Sequence, residues 1–147
     1  MMVMLLRNTD QSCGLCNGLH PRMRWYQEVW DTWCVPKHSF IGWLIHHEAL
    51  NTREKLFSIG VEDSRHCVLC EKDVETHAHL FGLCEYSSRI LNGMENWLRV
   101  GLAGVPHASS TMQIKVCHMV KMACWYYLWM ERNRCRMEAR LTRPEIV

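Results

Sequence analysis

The chain has 147 residues, of which 48% are hydrophobic and seven are tryptophan, and its formal net charge is +2. This composition excludes a disordered chain, and the length predicts one domain, or a small core joined to a metal-stapled module. A net charge of +2 does not by itself indicate nucleic-acid binding, although 12 of the 17 basic residues are arginine, the better phosphate donor.

The cysteines and the hydropathy indicate the compartment. The nine cysteines are an odd number, and the apolar run Met1–Leu6 lacks the basic flank and the cleavage site of a secretory signal. No stretch of 18 apolar residues occurs, so we expect no transmembrane helix and no membrane partner. We therefore expect an intracellular protein in a reducing compartment, nuclear or cytoplasmic, with free or metal-bound thiols.

The first predicted elements are an irregular segment, residues 1–21, and a helix over residues 22–34. The segment contains a Cys-x-x-Cys pair, Cys13 and Cys16, with the form of half a zinc site or a redox pair. The helix carries an apolar stripe that we interpret as core rather than as a base-stacking surface. The stripe consists of Trp25, Val29, Trp30 and Trp33.

Two shorter helices are predicted next. Pro36 should break the first helical pattern, and a second helix is expected over residues 40–50. Residues 51–54 resemble a capping box that opens a short helix, and Gly60 is typical of the position after a helix end. The residues predicted to point inward from these helices are Phe40, Ile41, Leu44, Ile45, Leu56 and Phe57.

The most informative segment reads Cys-x2-Cys-x8-His-x4-Cys and contains Cys67, Cys70, His79 and Cys84. Three thiolates and one imidazole at this spacing are the ligand set of a closed, tetrahedral structural zinc site. Four protein ligands leave no open position for water or substrate, so this site favours folding and binding over metal catalysis. The predicted cofactor is therefore Zn²⁺.

The sequence alone leaves two alternatives to this ligand set. His66 and His77 are rivals of His79 as the fourth ligand, and His79 is preferred because its gap to Cys84 recurs in zinc knuckles. Free cysteines are also often small buried hydrophobic residues, which is the interpretation without metal.

Two longer helices complete the chain. The first is predicted over residues 86–100 and ends at Gly101, and the Gly/Pro/Ser-rich residues 101–109 are a candidate linker. A second capping box at residues 110–113 opens a helix that runs to about Arg140. The residues predicted to point inward are Ile90, Met94, Trp97 and Leu98, then Ile114, Cys117, Val120, Cys124, Tyr127 and Leu128.

These elements predict a fold class and a domain division. Alternation with period two is scarce, so the fold is expected to be mainly α. We expect a small helical domain with an embedded CCHC zinc-knuckle-like module and a long C-terminal helix. The predicted divisions are residues 1–21, a zinc-binding domain at 22–100, a linker at 101–109, and a C-terminal helix with an Arg-rich end at 110–147.

The end of the last helix carries Arg132, Arg136 and Arg140 at intervals of four residues. Side chains at this spacing share one helix face. Such a stripe can track phosphates. It is equally explained as a solvated helix end that complements the helix dipole, since Glu131 and Glu138 dilute its charge.

Taken in order, several short signatures resemble a known family. They are Val29-Trp30, residues 36–44, residues 50–56, Cys67-Val-Leu-Cys70, Glu75-Thr-His-Ala-His79-Leu-Phe81 with Cys84, and Trp129-Met-Glu-Arg132-Asn133. The chain thereby resembles the zinc-binding domain that follows the reverse transcriptase in plant non-LTR (LINE-type) retrotransposons. In that family Glu, three residues and then His-Leu-Phe recur, which favours His79 over His77.

The resemblance implies a non-catalytic role in binding element RNA or target DNA. The chain has only four Asp, no Asp-Asp pair and no room for a polymerase palm. It therefore looks like a fragment or a stand-alone product of such an element, without the activity of the parent. Cys34 with His38, and Cys117 with His118, lack the partners of a catalytic nucleophile, and no small-molecule substrate is expected.

Several residues are candidates for nucleic-acid contacts. Phe81 and Tyr86 flank Cys84 and could stack unpaired bases, although packing around the metal is the favoured role for both. The remaining candidates are basic residues that could contact phosphates. They are Arg65, Lys72, Arg89, Arg132, Arg136 and Arg140. RNA or single-stranded DNA is the expected partner; a protein-interaction module, or a decayed element fragment without activity, is the alternative.

Overall fold

The structure, a computed structural model, describes residues 29–30, 32–103 and 110–141. Within these ranges lie four α-helices and one π-helical turn, and no strand is present beyond an isolated bridge between His66 and Val74. The elements are α1 (Pro36–His46), α2 (Arg53–Ser58), the π-helical turn His79–Leu83, α3 (Glu85–Ala103) and α4 (Ser110–Leu141). The mainly α fold and the long C-terminal helix are confirmed.

The segment before α1 differs from the prediction. Val29 is buried, but Trp30 and Trp33 are 46% and 57% exposed, so the predicted Trp core stripe is wrong at these two positions. Residues 32–34 form a turn and a bend rather than the end of a helix. Most of the predicted helix at 22–34, including Trp25, and the Cys13/Cys16 pair lie outside the described residues.

Helix α1 begins and ends four residues earlier than predicted. Pro36 opens this helix, because the first helical position needs no N–H donor and proline presets its φ. Ile45 is buried as predicted, whereas Phe40 is 52% exposed and stacks on Trp43 with 6.1 Å between ring centroids.

Helix α2 is capped from a distant residue rather than by its own sequence. Thr52 is the N-cap residue, yet no side chain of the predicted capping box makes a cap hydrogen bond. Instead, the Arg53 N–H donates to the Glu75 carboxylate at 2.8 Å. Gly60 follows the helix end with φ +74°, as predicted. Leu56 is buried, but Phe57 is 45% exposed.

Helix α3 runs through Gly101 to Ala103, so the first residues of the predicted linker are helical and residues 104–109 lie outside the description. Leu91 and Leu98 face the core. Ile90 and Trp97, which were predicted to point inward, are 40% and 66% exposed.

Helix α4 turns a different face inward from the predicted one. The buried residues of this face are Met122, Trp125, Leu128 and Arg132. Only Leu128 belongs to the predicted set, whereas Ile114 and Tyr127 are 54% and 60% exposed. No helix within the described ranges has the length and apolarity that crossing a membrane requires.

The core forms where α1 and α3 both pack on α4. Gly42 of α1 lies directly against the fully buried Met122 of α4, and a Cβ at this position would also lie 3.6 Å from Val29. A side chain at this position would displace the Met122 side chain, and glycine avoids this. This contact explains the glycine in the segment Phe40-Ile-Gly-Trp-Leu44.

We predict opposite effects for the same substitution at two helical glycines. Gly42→Ala should lower the free energy of unfolding by about 1–3 kcal/mol, because the new methyl group displaces the Met122 sulfur in a packed core. At Gly93 in α3, a new Cβ would have no atom within 4 Å. Gly93→Ala should therefore raise the free energy of unfolding by about 0.5–1 kcal/mol. Urea denaturation of the zinc-loaded chain measures both; stabilisation by both variants would contradict the packing of α1 on α4.

Candidate metal centre

A tight turn positions the first two cysteines. The bridge between His66 and Val74 closes a small loop, and inside it the Cys67 N–H donates to the Asp73 carbonyl at 2.7 Å. The chain reverses at Glu71, whose φ is +57°, and the Glu71 N–H returns to the Cys67 carbonyl at 2.8 Å. This loop, residues 66–74, is called the knuckle below. It places the sulfurs of Cys67 and Cys70 on the same side of the chain.

The π-helical turn positions the other two donors. The Cys84 N–H donates to the His79 carbonyl at 2.7 Å, a bond between residues five apart. In an α-helix, residues five apart point about 140° away from each other, whereas the wider π turn returns them to one side. At the start of this segment, the His79 N–H donates a hydrogen bond to the Thr76 hydroxyl at 2.9 Å. The four-residue gap between His79 and Cys84 thus suits a π turn.

The four donor atoms meet in one cluster. Cys67, Cys70, His79 and Cys84 each offer one atom, and these atoms all lie within 4.8 Å of one another. The sulfurs of Cys67 and Cys84 are 3.9 Å apart, and the Cys70 sulfur is 3.3 Å from His79 Nε2. A tetrahedron with zinc–sulfur bonds of 2.3 Å has edges of about 3.8 Å. The donor set and its spacing fit Zn²⁺.

The electrostatics of the cluster also favour a cation. Burial raises the pKa of the Cys67 thiol to about 12, so this group stays protonated unless a positive charge compensates it. For Cys70, burial opposes ionisation, but hydrogen bonds from the backbone of Asp73 and Lys72 and from the Cys84 and Cys67 side chains together lower the pKa. Burial lowers the pKa of His79, which favours the neutral imidazole that binds metal.

The rival histidines lie elsewhere. His77 is half-buried beside α2, where it lines a shallow pocket with Glu48 and Lys55. His66 is exposed and its ring contacts the Ser64 hydroxyl at 3.3 Å. Neither ring belongs to the cluster of three cysteines, whereas that of His79 does.

Glu75 is a residue whose role sequence reasoning missed. Its carboxylate is fully buried and accepts four hydrogen bonds from three parts of the chain. Besides the Arg53 N–H of α2, it accepts the Val68 N–H of the knuckle at 3.3 Å. Arg132 of α4 donates to it through Nε at 2.9 Å and Nη2 at 2.5 Å. One carboxylate therefore joins the knuckle, α2 and α4.

The neighbours of Arg132 complete this arrangement. Its guanidinium lies 4.8 Å from the centroid of the Trp129 ring, and Nη1 donates to the Asn133 side chain at 2.9 Å. The segment Trp-x-x-Arg-Asn thus supplies a charge, a ring that stacks on it and an acceptor for its remaining donors. Arg132 continues the buried α4 stripe of Met122, Trp125 and Leu128, and this periodicity was the available signal for its burial.

Two of the candidates for nucleic-acid contacts are buried in the structure. Arg132 is 1% exposed and occupied by Glu75, so it cannot contact phosphate in this structure. Phe81 is fully buried and packs on Trp125, with 6.3 Å between ring centroids, as its packing role requires.

The remaining candidates do not form one basic surface. Lys72 and Arg89 both pair with Glu85, at 2.8 and 2.7 Å, and Arg136 donates to the mostly buried Glu62 at 2.6 Å. Arg65 is exposed and Tyr86 is 38% exposed. The side chain of Arg140 lies outside the description. Because Arg132 is buried and Arg136 is paired with Glu62, the described part of the predicted arginine stripe is not an exposed row.

Comparison with known proteins identifies the class of domain. Residues 11–90 match the family described as zinc-binding in reverse transcriptase. The match covers more than half of the chain, and the chain belongs to this family. No curated protein and no solved structure gives a significant match.

We predict that the zinc site depends on Glu75 and Arg132. Arg132→Met leaves a buried carboxylate without its charge partner and should cost about 3–5 kcal/mol of unfolding free energy. Glu75→Gln should weaken zinc binding by about 10- to 100-fold, because the knuckle loses an outer hydrogen-bond partner. Denaturation and competition with a zinc chelator measure the two effects.

The double variant Glu75→Gln/Arg132→Met is the control for this interaction. If the two groups act as one pair, the double variant should be less destabilised than the sum of the single variants. Additive costs would show that the pair is not coupled.

Proposed function

We propose that the chain is a non-catalytic module in which zinc stabilises the fold and whose surface binds nucleic acid, either RNA or single-stranded DNA. In this proposal Cys67, Cys70, His79 and Cys84 are the zinc ligands. The observation that carries it is the convergence of these four donor atoms within 4.8 Å in a member of the reverse-transcriptase zinc-binding family.

The donor set supports a structural rather than a chemical role for the metal. Zinc bound there would neutralise the thiolates and hold the knuckle against the π-helical turn, and four protein ligands leave no position for a reacting water. The pairs Cys34–His38 and Cys117–His118 add no support for a nucleophile activated by a base. His38, the partner of Cys34, is buried and packs on Tyr126, with ring centroids 4.7 Å apart.

The cysteines and the sequence signatures also support a cellular compartment and an origin for the chain. All cysteines that the structure describes are free thiols, which supports a reducing compartment. The signatures that resemble LINE-type elements support an origin in such an element of a plant.

A protein-interaction module is the second candidate. A groove of about 620 Å³ between α3 and α4 is lined by mostly apolar side chains. Its walls include Tyr86, Ile90, Tyr127 and Met130. An apolar interface keeps its affinity as salt rises, whereas phosphate contacts weaken steeply, so salt dependence separates the two candidates.

Zinc content is the first test. We expect one zinc per purified chain by elemental analysis and none in the Cys67→Ser/Cys70→Ser double variant, which removes two of the four ligands. Cys117→Ser, a substitution of a thiol outside the cluster, is the matched control and should keep its zinc. If the folded parent chain contains no zinc, the cluster is not a zinc site and these cysteines are core residues.

Zinc should organise the knuckle more than the long helices. Cys70→Ser is expected to melt residues 64–86 while much of the helical signal in far-UV circular dichroism persists, because α1 and α3 each also pack directly on α4. Complete loss of helicity in this variant would show that the helices do not fold without the metal.

A further inference from the structure

The face where α1 meets α4 combines exposed rings with lysines. We call Trp33, Lys37, Lys115, Tyr126 and Tyr127 the α1–α4 face. Lys37 Nζ lies 4.9 Å from the Tyr126 ring, and Lys115 Nζ lies 5.7 Å from the Trp33 ring. Tyr126 and Tyr127 have ring centroids 5.2 Å apart. Trp33 and Tyr127 are 57% and 60% exposed, which is unusual for large rings that serve only the core.

The charge of this face differs from that of the knuckle side. Residues 32–47 and 110–130 contain no aspartate or glutamate. Within the described part of the chain, Lys37 and Lys115 contact rings and form no ion pair. On the knuckle side and at the end of α4, by contrast, the basic groups Lys72, Arg89 and Arg134 are each paired with carboxylates. Lys37 and Lys115 are therefore available to a polyanion in a surrounding without carboxylates, while Arg65 and Lys55 are exposed on other surfaces of the described chain.

The face borders the contact between α1 and α4. Lys115 and Tyr126 are 11 residues apart on α4, about 16 Å along its axis. Met122, which lies between them, is fully buried against Gly42 of α1, so each end of the face has one lysine beside a ring. Tyr127 lies next to His38 of α1 and also lines the α3–α4 groove. Exposed rings interleaved with cations are the pattern of proteins that bind single strands, since only unpaired bases present a free π-face.

We infer that single-stranded nucleic acid binds on the α1–α4 face, with bases stacked on Trp33 and Tyr127 and phosphates held by Lys37 and Lys115. The knuckle serves to fold the module and is not the contact surface. This inference rests on the proposed nucleic-acid-binding function and assigns that function a location.

The test uses the zinc-loaded full chain and a fluorescein-labelled oligouridylate of about 12 nucleotides, within the site sizes of single-strand binders. Fluorescence anisotropy should show that Tyr127→Ala raises the Kd by about tenfold, because one stacked base is lost, whereas Tyr127→Phe keeps the ring and the affinity. Lys37→Gln should lower the slope of log K against log salt by about 0.7, the value for one phosphate contact on a single strand.

Matched controls come from α2, which carries the same side-chain types on another surface. Phe57 is 45% exposed and Lys55 is exposed. Phe57→Ala and Lys55→Gln should leave the Kd and the salt slope unchanged. Zinc content and circular dichroism establish that every variant is folded.

The outcomes separate this inference from the function on which it rests. If the parent chain binds the oligonucleotide and Arg65→Gln or Lys72→Gln weakens binding while Tyr127→Ala does not, the knuckle is the contact surface; the inference then fails and the proposed function stands. Retained affinity in both Tyr127→Ala and Lys37→Gln also overturns it. If the parent chain does not bind at low salt, both fail.

Discussion

The fold depends on one buried carboxylate. Glu75 receives four N–H donors, from Arg53, Val68 and Arg132, and both members of its ion pair with Arg132 are at most 1% exposed. Removing two charges from water is costly, and the cost is recovered only when every donor and acceptor finds a partner. Here the partners come from three separate segments, so the arrangement is stable only when α2, the knuckle and α4 are all in place.

This dependence extends the zinc-binding module beyond the residues by which its family is recognised. The match ends at residue 90, yet Arg132 lies 57 positions after Glu75 and belongs to α4. A chain cut after α3 would lack the counter-charge of Glu75. The predicted boundary between a zinc domain, a linker and a C-terminal helix is thus crossed by a buried ion pair.

The sequence predicts best what depends on local spacing. The four metal-ligand candidates, the helical class and the stop at Gly60 all follow from neighbouring residues. What it could not predict depends on distant partners: α2 is capped by Glu75, and α4 buries Met122 and Trp125 rather than Cys117 and Tyr127. Both stripes of α4 have helical spacing, and contacts with distant residues, such as that of Gly42 on α1 with Met122, accompany the burial of one of them. Arg132 was misassigned for the same reason, because a charge on a helix usually faces water unless a distant carboxylate receives it.

The acidic residues of the described chain are unevenly distributed. Glu62, Glu75 and Glu85 pair with Arg136, Arg132 and Lys72, so these three basic groups are held by ion pairs within the fold, whereas Arg65 is exposed. The first two-thirds of α4 and all of α1 lack such carboxylates. A chain with a net charge of only +2 can thus have a stretch of surface with lysines and rings and without carboxylates. In the proposed function, zinc would not need to touch the nucleic acid to affect its binding. By fixing the knuckle, whose Val68 N–H donates to Glu75, zinc would also fix Arg132 and the helix that carries Tyr126 and Tyr127.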